Sequence, residues 1–562
     1  MIKIKTRSFS SQEVKKLSAT GLHPLLAKLL VARGVQAEDA LDTSLKHLML
    51  PNLLTNNDRM AQILADAIQA DKKILVVGDY DADGATATAV AVKGLRTMGA
   101  QVDFLVPNRF EYGYGLTPEI VVLAKQHSPD YILTVDNGIA SIEGVAFANN
   151  LGIQVLVTDH HLPAEQVPEA LCIVNPNQHG CGFPSKNLAG VGVMFYVLMA
   201  LRAELKLRGV FHEDQSLNLA GVLDLVALGT VADLVKLDAN NRILVEQGLR
   251  RIRAEACCEG IKAILHWAGR SIHKATAQDL GFYVGPRLNA AGRLDDMTLG
   301  IRCLLAETSA EAMHYAQQLH ELNAERRSIE SEMQVDALQN LDINAINAQV
   351  SISIYQPDWH QGVIGILASR IKEQYHRPVI AFASARDGLL KGSGRSIPGL
   401  HLRDALDLVT KQHPQLIVKF GGHAMAAGLT IKETDFDVFK SVFEHVVKSL
   451  INEEDLRESI ETDGQLEAPD ITLETARLLE NQVWGQGFPT PLFYDEFKVV
   501  NQRVLGDKHL KLLVEKQQKR FEAIYFNQPE FLSEHIHIVY QLQVNAFNGQ
   551  QTVQLQIKHA HA

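Results

Sequence analysis

Cysteine is scarce in this sequence. Five cysteines occur among 562 residues, and none of them belongs to a Cys-x-x-Cys pair. That spacing suits neither a disulfide framework nor a structural zinc site. We expect all five to be thiols that fill the core: Cys172, Cys181, Cys257, Cys258 and Cys303.

Long apolar runs are missing as well. The longest, from Ala189 to Leu201, is shorter than the ~20 residues that a membrane-spanning helix needs. The first residues, Met-Ile-Lys-Ile-Lys-Thr-Arg, show no apolar stretch of the kind found in signal peptides. We therefore expect a soluble, cytoplasmic protein without membrane contact. Because nothing in the sequence indicates an oligomer, we also expect a monomer.

The chain lacks a surplus of basic residues too. It has 54 Lys and Arg against 65 Asp and Glu, which gives a formal net charge of -11. A protein that coats nucleic acid through charge alone needs clustered Lys and Arg, so that class is disfavoured. Carboxylates gathered around bound cations would offset part of the negative charge, however, and leave local basic surface for phosphate binding.

What is present is the composition of a folded multidomain protein. Hydrophobic residues make up 46% of the chain and charged residues 21%, and the length exceeds the ~250 to 300 residues that one core can support. We expect an N-terminal helical segment at 1–50, an α/β domain at 51–305, a linking helix at 306–345, a smaller α/β domain at 346–450 and an all-β domain at 451–562.

Short, almost continuously apolar runs alternate with helical stretches between residues 74 and 174. Strands covered by helices on both faces have this character, so the pattern predicts a parallel sheet. Ligands of such sheets bind at the carboxyl ends of the strands. The predicted strands are 74–77, 102–106, 131–135, 153–158 and 171–174.

Later patterns predict three further parts. Thr308-x-x-Glu311 is a capping box that begins a long helix through about Leu341. Beyond it, strands at 350–355, 379–383 and 417–420 alternate with helical patterns and indicate a second, smaller α/β domain. The last part has closely spaced short strands, typical of an all-β barrel. They are predicted at 497–504, 509–514, 521–526, 535–544 and 552–557.

Acidic and imidazole side chains follow the strand ends of the first domain. Asp79, Asp81 and Asp83 alternate on a glycine-bounded loop, Asp136 follows a later strand, and 159–161 (Asp-His-His) follows the next. Carboxylates that meet in a small volume repel one another, so a cation is their natural partner. The mixed oxygen and nitrogen set favours Mn²⁺ or Mg²⁺, with zinc as an alternative.

Single motifs in this set have simpler explanations. Asp-x-Asp-x-Asp-Gly also begins an EF-hand loop, but position 12 is Val90 rather than Glu, and a strand precedes it. Asp159 could instead be a helix-capping residue that is followed by two surface histidines. Asp233, in an apolar context, needs a partner for its carboxylate, whereas Asp224, within an apolar helical stretch, is the weaker ligand candidate. The conjunction of motifs is what favours a metal site.

Common catalytic templates are absent from the sequence. It contains no Gly-x4-Gly-Lys-[Ser/Thr] loop, no Gly-x-Gly-x-x-Gly after a strand, no Gly-x-Ser-x-Gly elbow and no His-Glu-x-x-His. A nucleotide-triphosphate motor or a nucleophile-based triad is therefore unsupported. Carboxylates and histidines around two adjacent metals suit the hydrolysis of a phosphate ester instead.

The ordered set of motifs resembles the DHH phosphoesterase superfamily, from about Val76 to the C-terminus. Within that superfamily the whole chain is similar to the bacterial single-strand-specific DNA exonucleases. The fold that this implies is α/β and multidomain, with a DHH-type parallel-sheet domain, a long linking helix, a DHH-associated domain and a C-terminal OB-fold barrel. The motifs lie at 76–84, 136–138, 159–161, 229–233, 285–293, 359–365, 392–396 and 421–424.

The resemblance also implies a catalytic centre. Two Mn²⁺ or Mg²⁺ ions would be bound, with Asp136 as the bridging ligand, and His161 would contact the scissile phosphate. Many superfamily members have a histidine where this chain has Val77, and Asp79 is our candidate to complete that shell. The implied metal ligands are Asp81, Asp83, Asp136, His160 and Asp233.

Candidate substrate contacts are spread over both α/β domains. The resemblance assigns Ser393, Arg395 and His423 to phosphate or nucleotide contacts, although glycine turns beside surface residues explain them nearly as well. Arg287 and Arg293 flank Asn289 in a stretch suited to clamping backbone phosphates, with structural ion pairing as the alternative for Arg293. Arg109 follows a strand end and is our candidate to hold the 5′ end of the substrate.

Basic and aromatic residues also meet in the predicted barrel. Such a mixture suits the phosphates and bases of a single strand, while a solvated hairpin face is the alternative. The residues are Lys508, Lys511, Lys516, Lys519, Arg520, Phe521 and Tyr525.

We therefore expect a two-metal exonuclease that hydrolyses single-stranded DNA and releases mononucleotides. The 5′ to 3′ polarity, a role in DNA repair and recombination, and a helicase and a single-strand-binding protein as partners are implied by the resemblance alone. Two rival hypotheses are a phosphodiesterase for short oligonucleotides or cyclic dinucleotides, and a catalytically idle scaffold that binds single strands.

Overall fold

The computed structural model describes residues 2–35, 42–210, 218–341, 346, 348–547 and 549–562, and of Arg109 and Phe110 it describes the backbone alone. The described chain forms two compact units. One contains residues 6–320 and 461–562, and the other contains residues 321–460 with the first residues of the chain. Among the described residues, no helix combines the length and apolar character that a membrane span requires.

The strands of the described residues fall into four sheets. In chain order they are β1 (Lys3–Thr6), β2 (Lys73–Gly78), β3 (Gln101–Leu105), β4 (Tyr131–Val135), β5 (Gln154–Thr158), β6 (Cys172–Val174), β7 (Ile352–Gln356), β8 (Val379–Ser384), β9 (Leu389–Arg395), β10 (Lys419–Gly422), β11 (Ala426–Lys432), β12 (Ser459–Thr462), β13 (Phe493–Leu505), β14 (His509–Lys516), β15 (Lys519–Tyr525), β16 (His535–Phe547) and β17 (Gln550–His561).

The α-helices lie mainly in the first 450 residues. They are α1 (Ser11–Ser18), α2 (Pro24–Val31), α3 (Asn57–Gln69), α4 (Ala82–Thr97), α5 (Arg109–Tyr112), α6 (Pro118–Lys125), α7 (Ile142–Asn150), α8 (Gly190–Leu207), α9 (Leu223–Ala232), α10 (Ala239–Arg253), α11 (Glu259–Trp267), α12 (Ala277–Asp279), α13 (Gly285–Leu294), α14 (Thr298–Leu305), α15 (Ser309–Asn340), α16 (Ile364–Tyr375), α17 (Leu402–Gln412), α18 (Phe436–Leu450) and α19 (Leu473–Glu480).

The sheet of the first domain is parallel throughout. Its strand order is β3-β2-β4-β5-β6, and every neighbouring pair runs in the same direction. Val77 packs with the apolar residues of α6 and α7 on one face, and α4 and α8 contact the strands from the other. This confirms the predicted parallel sheet and brings the carboxyl ends of β2, β4 and β5 to one edge.

The long helix begins where the capping box predicts. The Thr308 hydroxyl accepts a hydrogen bond from the Glu311 backbone N–H at 3.3 Å, which satisfies one of the free N–H groups of the first turn. The helix, α15, ends at Asn340, and it contains the division between the two compact units.

The smaller α/β domain has a mixed sheet of order β10-β11-β9-β8-β7. Only β7 and β8 pair in parallel among its described strands. Phe382, Phe439 and Phe443 are completely buried between this sheet and its helices. Sequence reasoning found β7, β8 and β10 but predicted no strand at Gly392–Arg395, and these residues lie in β9.

The C-terminal strands close into a barrel of order β13-β14-β15-β17-β16. Phe493, Phe497 and Tyr540 fill its interior, and Leu29 of α2 joins the same apolar cluster. Arg33 ties the N-terminal helices to this region, because its guanidinium forms a buried ion pair with Asp463, with Nη1 to Oδ1 at 2.8 Å. The predicted all-β barrel is therefore confirmed.

The expectation that all five cysteines fill the core was wrong for three of them. Cys172 and Cys303 are buried, but Cys181, Cys257 and Cys258 are only partly buried. All three lie at loops or helix starts, where the chain reaches the surface.

Candidate metal centre

The loop after β2 is built to hold carboxylates at the start of α4. Asp81 is the N-cap of α4, and its Oδ1 accepts hydrogen bonds from the backbone N–H groups of Asp83 and Gly84 at 2.9 and 3.0 Å. Position 84 requires glycine, because a Cβ there would lie 2.5 Å from the carbonyl oxygen of Asp79. The capping bonds fix Asp81 and turn the loop sharply, so Asp79 and Asp83 also stay near the sheet edge.

Asp83 is buried against the first turn of α8. Its Oδ2 accepts a hydrogen bond from the Gly190 N–H at 2.6 Å, and its Oδ1 accepts one from the Val191 N–H at 2.9 Å. These are N–H groups that a helix leaves without internal partners, and the positive end of the helix dipole favours a carboxylate there. Asp83 is thus oriented by backbone groups from a distant part of the chain.

Asp136 follows β4 in a strained backbone conformation. Its φ is +62°, in the left-handed region that few residues other than glycine adopt. The neighbouring Asn137 side chain donates hydrogen bonds to the carbonyl oxygens of Val77 and Val135 at 3.1 and 2.9 Å. These bonds hold the turn and aim the buried Asp136 carboxylate at the centre of the cluster.

Asp159 organises the Asp-His-His loop rather than facing the cluster. Its Oδ1 accepts hydrogen bonds from the His160 N–H at 2.7 Å and from the His161 N–H at 3.1 Å. The same oxygen lies 2.7 Å from Nδ1 of His161, and Oδ2 accepts from the Ile139 N–H at 2.9 Å. Both oxygens of Asp159 are therefore used within the fold.

The structure brings the predicted ligands together around His160. Its Nε2 lies 3.1 Å from Oδ1 of Asp136, 3.5 Å from Oδ2 of Asp233 and 3.9 Å from Oδ2 of Asp83. Three overlapping groups have ligand atoms within 4.8 Å of one another: Asp83, His160 and Asp233; Asp79, Asp81 and Asp136; and Asp136, His160 and His161. Asp136 and His160 each belong to two of these groups.

Burial and mutual repulsion make these carboxylates unusually weak acids. Burial, and then the charge of Asp81, raise the pKa of Asp83 to about 7. Burial and the charge of Asp83 likewise raise the pKa values of Asp136 and Asp233 well above the usual range. Burial alone would lower the pKa of His161, but its hydrogen bond to Asp159 and the charge of that residue raise the pKa to about 9.

The cluster fits divalent cations. The buried Oδ1 of Asp136 has no hydrogen-bond partner among the residues that the structure describes, although a carboxylate oxygen taken out of water needs one. Oxygen ligands with one imidazole match Mn²⁺ or Mg²⁺. Val77 is buried within β2 and offers no ligand, and Asp79 lies beside Asp81 and Asp136 as its proposed replacement.

Asp224 stays outside the cluster. It is completely buried, and its Oδ2 accepts a hydrogen bond from the Cys258 N–H at 2.7 Å, which joins α9 to the start of α11. Burial raises the pKa of this carboxyl above its usual value. The structure therefore places Asp233 in the cluster and Asp224 outside it, and sequence reasoning had also named Asp224 as the weaker ligand candidate of the two.

The first-domain candidates for substrate contact are held largely by the fold itself. The Arg287 guanidinium donates to the carbonyl oxygen of Tyr283 at 2.7 Å and lies 3.2 Å from Nδ1 of His320. Oδ1 of Asn289 accepts from the Ala82 N–H at 2.9 Å, at the start of α4. Arg293 lies partly buried in α13. Arg109 begins α5, and its side chain lies outside the described residues.

The remaining candidates lie in the other compact unit. Nη1 of Arg395 donates to the Ser393 hydroxyl at 3.2 Å, both on β9, and burial lowers the pKa of this guanidinium. A Cβ at Gly365 would lie 2.8 Å from the Ser393 hydroxyl oxygen, so glycine leaves room for this pair. His423 is exposed in the turn between β10 and β11.

The basic residues of the barrel are mostly engaged in ion pairs. Lys516 contacts the buried Asp495 at 2.5 Å, and Lys511 and Arg520 pair with glutamates on the same hairpin. Phe521 points into the barrel core. Lys516 and Phe521 are thus held within the barrel, while Lys508 and Lys519 are exposed, and the choice between a DNA-binding and a solvated hairpin face stays a prediction.

Sequence reasoning missed several residues around the centre. The Tyr114 hydroxyl lies 3.2 Å from Nδ1 of His161, and Asn175 and Asn177 donate to the carbonyl oxygens of His161 and His160, respectively. Gly190 lies against Asp136, where a Cβ would be 2.5 Å from the Asp136 Cβ. The Asn-Pro-Asn sequence at 175–177 directly follows the predicted strand 171–174. Because other strand ends of this sheet carry candidate site residues, this position could have indicated that the two asparagines lie near the site.

Comparison with known proteins gives matches along the whole chain. Family models match at 73–230 (DHH family, N-terminal domain), 342–449 (DHHA1 domain) and 462–559 (RecJ OB domain). The single-stranded-DNA-specific exonuclease RecJ of Haemophilus influenzae is 49% identical over 551 residues, which is 96% of each chain.

Solved structures give a consistent result. The crystal structure of RecJ from Thermus thermophilus in complex with Mn²⁺ superposes with a TM-score of 0.84 at 30% identity, over 100% of this chain and 80% of that one. The complex of the same protein with Mg²⁺ gives a TM-score of 0.79 at 28% identity, over 100% of this chain and 78% of that one.

A parallel sheet with carboxylates and histidines gathered at its carboxyl edge, followed by a mixed α/β domain and an OB barrel, defines a metal-dependent hydrolase of the DHH class. Within that class, the chain belongs to the RecJ family.

Proposed function

We propose that this chain is a single-stranded-DNA-specific exonuclease that hydrolyses phosphodiester bonds with the help of two divalent cations. The observation that carries the proposal is the convergence of three carboxylates on one imidazole: Nε2 of His160 lies 3.1 to 3.9 Å from an oxygen of Asp83, Asp136 and Asp233. The RecJ proteins that it resembles over almost their full length are single-stranded-DNA-specific exonucleases by name.

The side chains divide the chemical work. Divalent cations held by these ligands would supply the Lewis acidity that phosphodiester hydrolysis needs. Asp81 and Asp83 are held by backbone N–H groups and so keep their positions as charge builds up nearby. The contact with Asp159 at 2.7 Å raises the pKa of His161 to about 9, which favours the protonated ring, and such a ring would donate a hydrogen bond to a phosphate oxygen.

The finer properties extend the same proposal. We propose release of mononucleotides with 5′ to 3′ polarity. Arg109 is our candidate to hold the 5′ end, and the other candidate DNA contacts are Arg287, Asn289, Ser393, Arg395 and His423. An enzyme restricted to single strands needs them supplied, so a helicase is the partner expected upstream, and a single-strand-binding protein would share the substrate. We propose that the chain acts as a monomer in the cytoplasm, where bacterial DNA is found.

The test uses DNA substrates labelled at either end. Single strands, a duplex of the same sequence, a dinucleotide and a cyclic dinucleotide are incubated with the purified chain and Mn²⁺, and Asp136→Ala serves as the inactive control. We expect mononucleotides from the single strand alone, appearing first from its 5′ end, with a rate at least ~100-fold above that of the variant. Turnover confined to dinucleotides would support the small-substrate rival, and binding without turnover would support the idle scaffold.

A further inference from the structure

We infer that Asn175 and Asn177 are positioning residues that fix the two histidines of the metal centre through their backbone carbonyl groups. The inference rests on the proposed function for its catalytic readout, but its structural basis is independent of the substrate. Both residues belong to the Asn175-Pro176-Asn177 segment directly after β6. Strand β6 is the neighbour of β5, and the loop that carries the histidines follows β5.

The backbone of the histidine pair is satisfied from two sides. Asp159 accepts from both N–H groups, as described above. On the other side, Nδ2 of Asn177 donates to the carbonyl oxygen of His160 at 2.6 Å, and Nδ2 of Asn175 donates to that of His161 at 2.9 Å. The peptide groups on both sides of His160 are therefore pinned by side chains.

The two asparagines are themselves held firmly. Asn175 is completely buried, and its Oδ1 accepts the Asn177 N–H at 2.7 Å. The segment follows β6, which pairs in parallel with β5 at Thr158 and Val174, and Asp159 continues this pairing through its N–H to the Val174 carbonyl oxygen at 3.1 Å. Pro176 between the asparagines restricts the backbone further.

This arrangement has a direct consequence for the metal centre. His160 Nε2 must stay near three carboxylates, and a rotation of the peptide group on either side of it would move the imidazole away. Groups that orient a metal ligand typically change metal affinity or activity by about 10- to 100-fold when they are removed. An amide that merely completed the fold would not have this effect on metal binding.

The decisive variant is Asn177→Asp, which keeps the shape of the side chain but replaces the donating NH₂ with an acceptor facing the His160 carbonyl oxygen. Its matched control is Asn149→Asp, because Nδ2 of Asn149 also donates to a backbone carbonyl, that of Glu169, at 2.9 Å, in the same domain but outside the metal centre. Asn177→Gln, which retains the amide donor on a longer side chain, serves as the conservative variant.

Mn²⁺ binding to each full-length protein is measured by electron paramagnetic resonance of the free ion, and the rise in melting temperature on adding Mn²⁺ is measured alongside. We expect Asn177→Asp to weaken Mn²⁺ binding by about 10- to 100-fold and to reduce the Mn²⁺-induced rise. Asn149→Asp should behave as wild type and Asn177→Gln should recover part of the affinity. Equal Mn²⁺ affinity in Asn177→Asp and wild type would overturn the inference.

Turnover on single-stranded DNA separates this inference from the proposed function. We expect Asn177→Asp to lower kcat with little change in KM for DNA, because the residue contacts the metal-binding loop. If wild type binds Mn²⁺ but cleaves no DNA while Asn177→Asp loses Mn²⁺, the proposed function fails and the positioning role stands. Should Asn177→Asp not fold, Asn175→Ser is measured in the same way, with the same expected loss of Mn²⁺ affinity.

Discussion

At the scale of single residues, the candidate metal centre depends on a glycine, because a side chain at that position would collide with one of its carboxylates. Gly190 begins α8, donates its N–H to Asp83, and lies so close to Asp136 that a Cβ would be 2.5 Å from the Asp136 Cβ and 2.6 Å from its Oδ1. Contacts this short do not occur between real carbon atoms, so a larger residue must displace the carboxylate. One glycine therefore sets the positions of two candidate ligands.

Gly190→Ala is expected to weaken Mn²⁺ binding by about 10- to 100-fold, because the new methyl group displaces the Asp136 carboxylate. The control is Gly192→Ala on the same helix, where the nearest atom to a new Cβ is the flexible end of Leu188 at 3.2 Å. Alanine is more favourable than glycine within a helix by about 0.5 to 1 kcal/mol, so the Gly192→Ala control should be as stable as wild type or slightly more stable. Isothermal titration with Mn²⁺ decides the matter, and unchanged affinity in Gly190→Ala would contradict the crowding argument.

At the scale of elements, the barrel contains a buried charge network around Asp495. From the sequence alone, its lysine, Lys516, was interpreted as part of a hairpin surface. Asp495 on β13 is almost completely buried. It accepts hydrogen bonds from Lys516 on β14 and from the Tyr540 hydroxyl on β16, the latter at 2.8 Å, and from the Leu466 N–H at 3.1 Å. These bonds connect three strands to the segment that enters the barrel.

Lys516→Met is expected to destabilise the barrel by about 3 to 5 kcal/mol, because it leaves the Asp495 carboxylate buried without its cation. Lys519→Met, at an exposed position of the same hairpin, should change stability by less than about 0.5 kcal/mol. Denaturant unfolding followed by tryptophan fluorescence provides the measurement. If both variants unfold at the same denaturant concentration while Lys516→Met alone loses DNA binding, Lys516 is a DNA contact and this account of it is wrong.

At the scale of the whole molecule, the metal centre is a source of instability that cations remove. Several carboxylates share one buried volume, and burial with mutual repulsion raises their pKa values. A ligand that binds only the folded state stabilises it by about 2.7 kcal/mol at roughly 100 times its Kd. The stability of the chain should therefore depend strongly on free Mn²⁺ or Mg²⁺.

Removal of metal with EDTA is expected to lower the melting temperature of wild type by several degrees. Asp136→Asn should melt a few degrees higher than wild type in EDTA at about pH 8, since one buried charge is gone, and should show no further rise with Mn²⁺. Differential scanning calorimetry of both proteins, with and without Mn²⁺, makes the comparison. An equal Mn²⁺-induced rise in the two proteins would show that the ions bind elsewhere.

Much of the architecture was predictable because it follows from the residue pattern within short segments. The apolar runs that became β2 to β6 needed no distant information, and the rule that ligands gather at the carboxyl ends of parallel strands placed Asp79, Asp136 and His160 at one edge. Asp233 followed from its apolar context and from family resemblance. The long helix that the capping box predicts through about Leu341 is observed at Ser309–Asn340.

The rest depends on contacts between distant segments. Gly392 and Gly394 weaken the local preference for a strand, yet they lie in β9, where Phe382 and Leu429 occupy the space that a Cβ at Gly392 would need. The roles of Lys516 and Asn177 could not be read from neighbouring residues, because their partners lie 21 and 17 positions away in the sequence. Only the assembled fold shows which polar groups face each other.

The order of the ligands along the chain has a consequence for synthesis on the ribosome. Asp79 to His161 emerge early, the α8 amides that hold Asp83 emerge later, and Asp233 emerges after both. Domains generally fold as units while translation continues, so a nascent or prematurely terminated chain ending before Asp233 carries an incomplete set of ligands. The cell would thus be spared a DNA-degrading fragment until the whole first domain has been translated.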